Sequence, residues 1–153
     1  MMVLTLALVA TLVQQPPGRP GAPGPSIPIL TTVPAMKTID KGDQSNLDDA
    51  RQVAVKTAAA WKQLWQQHSP DRPLPAVDFT KEMVVGVFMG SRPSAGYTLE
   101  IVSAIEAGGT LVVRYREAAP PRGTMTAQVI TSPYHLVTVP FYPGNVKFEK
   151  VEQ

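Results

Sequence analysis

From Met83 to Met89 every position except Gly86 is apolar, and a run of that length predicts a strand with both faces covered. Gly90 to Gly96 breaks the run with two glycines, a proline and two serines, the composition of a tight polar loop. From Tyr97 the pattern alternates. Tyr97, Leu99, Ile101 and Ile105 fall on one face and Thr98, Glu100 and Glu106 on the other, with Val102 and Ala104 blurring the outer face. These two strands and the Pro-Ser-Ala-Gly tip between them form the unit on which the remaining elements are expected to pack.

On the N-terminal side, Met36 to Gln44 fits a polar first strand, and Arg51 to Lys56 a short strand with Val53 and Val55 inward. Thr57 has the character of an N-cap. Ala58 to Gln67 follows as a helix whose Trp61, Leu64 and Trp65 make one apolar stripe, ended by Ser69-Pro70. Pro73 to Thr80 reads as an extended connector. On the C-terminal side, Gly108-Gly109 predicts a hairpin turn into a strand at Thr110 to Glu117, with Leu111, Val113 and Tyr115 on one face and Arg114 and Arg116 on the other. A second proline-rich loop spans Ala118 to Gly123. Further strands are expected at Met125 to Thr131, Tyr134 to Val139 and Val146 to Val151, the last with Val146 and Phe148 inward. Seven or eight short strands with one amphipathic helix predict a mostly β (α+β) fold, a small antiparallel sandwich or open barrel.

The first 34 residues read differently. Met1 to Val13 is apolar apart from Thr5 and Thr11; it has the length of a signal-peptide hydrophobic region, though no Lys or Arg precedes it and no A-x-A site follows. A Pro/Gly-rich spacer comes next. The expected organisation is an apolar leader at 1–15, a linker at 16–34 and a β domain at 35–153, the layout of an exported protein. The net charge of +2 leaves no electrostatic footprint for nucleic acid. The absence of cysteine excludes disulfides, thiolate metal sites, cysteine nucleophiles and lipid attachment through cysteine.

No catalytic constellation emerges from spacing. His68 sits at a helix end, where it is expected to meet the last carbonyls, and His135 shares a strand face with Val137 and Val139, the place of a half-buried structural histidine. Asp40, Asp43, Asp48 and Asp49 lack EF-hand spacing, and Ser91, Ser94 and Ser132 lack a Gly-x-Ser-x-Gly context. No cofactor and no metal are expected. Arg92, Arg114, Arg116 and Arg122 form a basic patch if their elements meet at one end, and a solvated strand face if they do not.

Leu74-Pro-Ala-Val-Asp-Phe79, Met83 to Gly90, Arg92-Pro-Ser-Ala-Gly-Tyr97, Tyr115-Arg-Glu-Ala-Ala-Pro-Pro121, Gln128 and Thr131-Ser-Pro-Tyr-His135, in this order, resemble the PrcB C-terminal domain family, over about Lys37 to Glu149. The resemblance implies an exported, non-catalytic domain that partners a protease complex at the cell surface; a lipobox cysteine is missing. The Pro-x-x-Gly-Tyr loop at Pro93 to Tyr97 is also similar to a loop of chagasin-type cysteine-protease inhibitors, although the Arg-Pro-Trp motif of that family is absent, which implies direct inhibition as the alternative role. A structural envelope domain is the third. The chain geometry puts Arg92, Pro93, Ser94, Ala95, Gly96 and Tyr97 at the same end as Pro120, Pro121, Arg122 and Gly123, opposite the Gly108-Gly109 turn. This end is the expected site for a protein partner, a secreted or surface protease; ordinary stiff turns are the plain alternative.

Overall fold

The computed structural model describes residues 35–152. The expected leader and the expected linker both lie outside these residues. The elements are β1 (Lys37–Gly42), β2 (Arg51–Val55), α1 (Ala58–His68), β3 (Glu82–Phe88), β4 (Thr98–Ala107), β5 (Thr110–Ala118), β6 (Tyr134–Pro140) and β7 (Asn145–Lys150). They form a four-stranded sheet in the order β1-β6-β3-β2 and a three-stranded sheet in the order β4-β5-β7.

The hydrophobic pattern dictates three layers. One face of β3 and β6 (Met83, Val85, Val87, Val137, Val139) meets Leu99, Ile101, Ala104, Leu111, Val113 and Tyr115 of the smaller sheet. The opposite face (Val84, Phe88, Tyr134, Leu136) is covered by the Trp61, Leu64 and Trp65 stripe of α1. The larger sheet is therefore the middle layer, which is why β3 shows an unbroken apolar run. Thr57 caps α1, its hydroxyl accepting the Ala60 N–H. Gly86 leaves the room between Val53 and Leu136; a Cβ there would run into the Leu136 side chain.

The strands depart from the sequence expectations at three places. β7 pairs with β5 in parallel, so the smaller sheet is mixed rather than wholly antiparallel. Met125 to Thr131 is not a strand: 124–130 runs without regular pairing. Its neighbour is the 92–95 loop, where Pro93 has no N–H and Gly96 turns the chain away at φ 92°, so a ladder cannot continue. A bulge between Ile101 and Ser103 shifts the phase of β4, turning Ala104 inward at 1% exposure and Ile105 outward. A second irregularity between Thr38 and Asp40 sends the adjacent Ile39 and Asp40 both toward the helix layer.

Candidate functional site

The two loops singled out by sequence do meet, at the end opposite Gly108-Gly109. Thr98 pairs with Ala118 at the last rung of the β4–β5 hairpin, so the chain entering β4 and the chain leaving β5 emerge side by side. Gly96 lies against Pro120, and a Cβ on Gly96 would sit 2.9 Å from the proline Cβ. Its φ of 92° lies in the region that favours glycine.

The segment after the second loop completes this end. Arg92 and Thr131 exchange two backbone hydrogen bonds (2.7 and 3.0 Å), the Ala95 N–H donates to the Ala127 carbonyl (3.0 Å), and the Thr131 hydroxyl donates to the Ser94 carbonyl (2.9 Å). Ser94 is thereby buried, while Pro93, Gly96, Pro121, Arg122 and Gly123 are exposed. A loop tied down at its centre presents a rim rather than a projecting plug. Arg92 stacks over the Tyr97 ring at 5.9 Å and borders a cleft of about 160 Å³ lined also by Met89, Glu117, Ala119 and Lys150.

The four arginines separate. Arg114 and Arg116 lie on the outer face of the small sheet, bridged to Glu149 (3.3 Å) and Glu100 (3.5 Å) respectively, so these two belong to a solvated strand face. Arg92 and Arg122 remain at the loop end and form no salt bridge among the described residues.

Spacing gave no hint of a second cluster. Asp40 accepts a bidentate pair from Arg72 (2.7 and 3.1 Å) and a bond from the Tyr134 hydroxyl (3.0 Å); His68 Nε2 lies 3.5 Å away. On the other side of the ring, His68 Nδ1 lies 2.8 Å from Ser45 Oγ. The Asp40 carboxylate can only accept, so Nε2 carries the proton that points at it, and Nδ1 accepts the Ser45 hydroxyl proton while Ser45 Oγ accepts the Leu47 N–H. Burial lowers the His68 pKa below its ordinary value despite the Asp40 contact. Burial alone would raise the Asp40 carboxyl, but the bonds from Arg72 and Tyr134 hold it lower.

Ser45, His68 and Asp40 have the order of a hydrolytic triad but not its working surroundings. His68 is 1% exposed. The N–H groups of Ser45, Asn46 and Leu47, the nearest candidates for an oxyanion hole, are already given to the Ser132 carbonyl, the His68 carbonyl and Ser45 Oγ. The cluster locks β1, α1 and β6 together. His68 thus turns its ring inward rather than to the helix carbonyls. His135 is more deeply set than half-buried: at 3% exposure, its Nδ1 accepts the Ile101 N–H (2.8 Å) and its Nε2–H donates to Thr38 (2.9 Å), joining the two sheets. Among the described residues no group of three or more His, Asp or Glu converges to hold a metal ion.

No curated protein and no solved structure was found to match the chain. The looser likeness of the Pro93 to Tyr97 loop to chagasin-type inhibitors gains no support from these comparisons. Residues 83–140, which span β3 to β6 and hold both converging loops, match the family model described as PrcB C-terminal.

Proposed function

We propose that this is an exported, non-catalytic binding module that engages a protein partner, a secreted or surface protease or a complex containing one, through the end where the two loops converge. The observation that carries the reading is the joining of two proline-stiffened loops, each with one arginine left without a carboxylate among the described residues. Stiff loops lose little freedom on binding, and arginine is enriched among residues that dominate interfaces. The family description is compatible with a protease-associated role. The apolar start and the Pro/Gly spacer support export.

The test is the double variant Arg92→Ala/Arg122→Ala in the full chain, used to capture protease from envelope extract. Melting is expected to be unchanged and the affinity for the captured protease to fall about tenfold or more. Unimpaired capture by the folded variant moves the site to the exposed face of α1. Activity of the captured protease separates the roles: an active protease supports a stabilising subunit, and an inactive one supports an inhibitor.

A further inference from the structure

The chain after the second loop is exposed in an unusual way. Met125 is 98%, Ile130 73% and Val129 51% exposed, on a segment that runs without a bend from Thr124 to Ile130. Large apolar side chains shown together to solvent mark a surface that another molecule covers. The main chain is one-sided. The Ala127 carbonyl and the Thr131 N–H and carbonyl turn toward the 92–95 loop. Neighbouring residues of extended chain face opposite ways, so Thr126, Gln128 and Ile130 turn their main-chain groups outward; their N–H groups have no partner among the described residues, while the Thr126 carbonyl accepts the Gln128 side-chain amide at 3.3 Å.

Charge narrows the occupant. The sequence has no Asp or Glu between Glu82 and Glu100 or between Glu117 and Glu149, so both loops and this segment carry Arg92 and Arg122 and no carboxylate of their own; Asp48, which reaches the first loop, is bonded to the Ser91 hydroxyl at 2.9 Å. Glu117, beside the cleft, is taken by Lys150 at 2.6 Å. The hydrocarbon of a bilayer could accept the apolar side chains but offers nothing to bond the N–H groups that lie among them. A strand edge of another protein can do both.

We propose that Thr124 to Ile130 is a docking strand. It takes an extended, acidic segment of a partner protein along its outward main-chain edge, with Met125, Val129 and Ile130 as apolar anchors and Arg92 and Arg122 facing the partner's carboxylates. The inference rests on the loop end being the partner site and adds the element that supplies most of its contact.

The experiment pans the full chain against a displayed random dodecapeptide library and measures the selected peptides by fluorescence anisotropy. Selected peptides are expected to combine β-branched residues with Asp or Glu. Their affinity should fall at least tenfold in Met125→Ser/Val129→Ser/Ile130→Ser, in Gln128→Pro, which removes one outward N–H and no anchor, and in Arg92→Ala/Arg122→Ala. All three variants should melt like the parent, since the altered groups are at the surface. Loss with the arginine variant alone overturns the docking strand and leaves the loop reading standing. Loss with none of the three overturns both. A library that yields no binder above background, or only peptides without acidic residues, overturns the docking strand. So does binding to vesicles of phosphatidylcholine and phosphatidylserine that the triple serine variant abolishes.

Discussion

His135 illustrates how one side chain sets the acid stability of the sandwich. Its Nδ1 accepts the Ile101 N–H at 2.8 Å, so protonation would place a donor against a donor in a buried seam. Burial first, and the nearby Lys41 charge second, push its pKa from 6.5 down to about 4. The unfolded chain therefore binds more protons than the folded one between those values. The contribution is complete above about pH 6.5 and is lost as pH falls toward 4, a change worth ~3 kcal/mol at most. The depressed His68 acts in the same direction, and the depressed Asp40 adds a loss at lower pH still. The urea midpoint should drop between pH 7 and pH 4.5, and more steeply than in His135→Gln, which lacks the titrating ring; equal midpoints for the parent at the two pH values would refute this. Thr138 gives a simpler case. Its buried hydroxyl has no partner among the described residues. Thr138→Val, the same shape without the stranded oxygen, should raise stability by about 1 kcal/mol, read from the chemical denaturation midpoint.

At the scale of elements, α1 does more than cover the sheet. Trp61 and Trp65 are 2% and 3% exposed, and their indole N–H groups donate to the Pro75 and Arg72 carbonyls, both at 2.9 Å. The helix thus clips the connector that leads to β3. Each Trp→Ala change should cost about 3–5 kcal/mol. Each Trp→Phe change should cost less and expose the connector to limited proteolysis, because the carbonyl clip goes while most of the packing stays. Parent-like melting of both alanine variants would argue against the packing role. The helix was legible because Thr57, the Trp61-Leu64-Trp65 stripe and Ser69-Pro70 are local signals that agree with one another. The bulge in β4 was not. Whether Val102 or Ser103 is the extra residue depends on the rung it faces across in β5, and alternation alone put Ile105 inward. The 125–131 segment has alternating Met125, Ala127 and Val129, yet a strand needs a partner edge, and the chain it bonds to among the described residues is a proline-broken loop. Convergence of the two loops was legible, since a hairpin closed at Gly108-Gly109 must open at its other end. The Asp40, His68 and Arg72 cluster was not, because it joins residues brought together only by the packing of α1 across β1 and β6.

The whole molecule is organised by a middle sheet that both other layers need. The unbroken run of β3 announced burial on two faces, but not that the helix would supply one cover and β4, β5 and β7 the other. Nor could the pattern fix the direction of β7, whose apolar Val146 and Phe148 suit either polarity; the path of the chain after β6 decides it. Because β3 and β6 are buried from both sides, their hydrogen bonds cannot open without loosening the helix layer and the sandwich together. Amide exchange of Val84 to Phe88 and of His135 to Thr138 should therefore run at the rate of global unfolding and respond to urea with the full slope of the equilibrium transition. The amides of Gln128 and Ile130, on exposed residues and without partners among the described residues, should exchange at nearly the rate of free peptide. Fast, urea-independent exchange in β3 would show that the layers open separately. Strong protection at 126–130 in the isolated protein would show that the outward edge is already occupied.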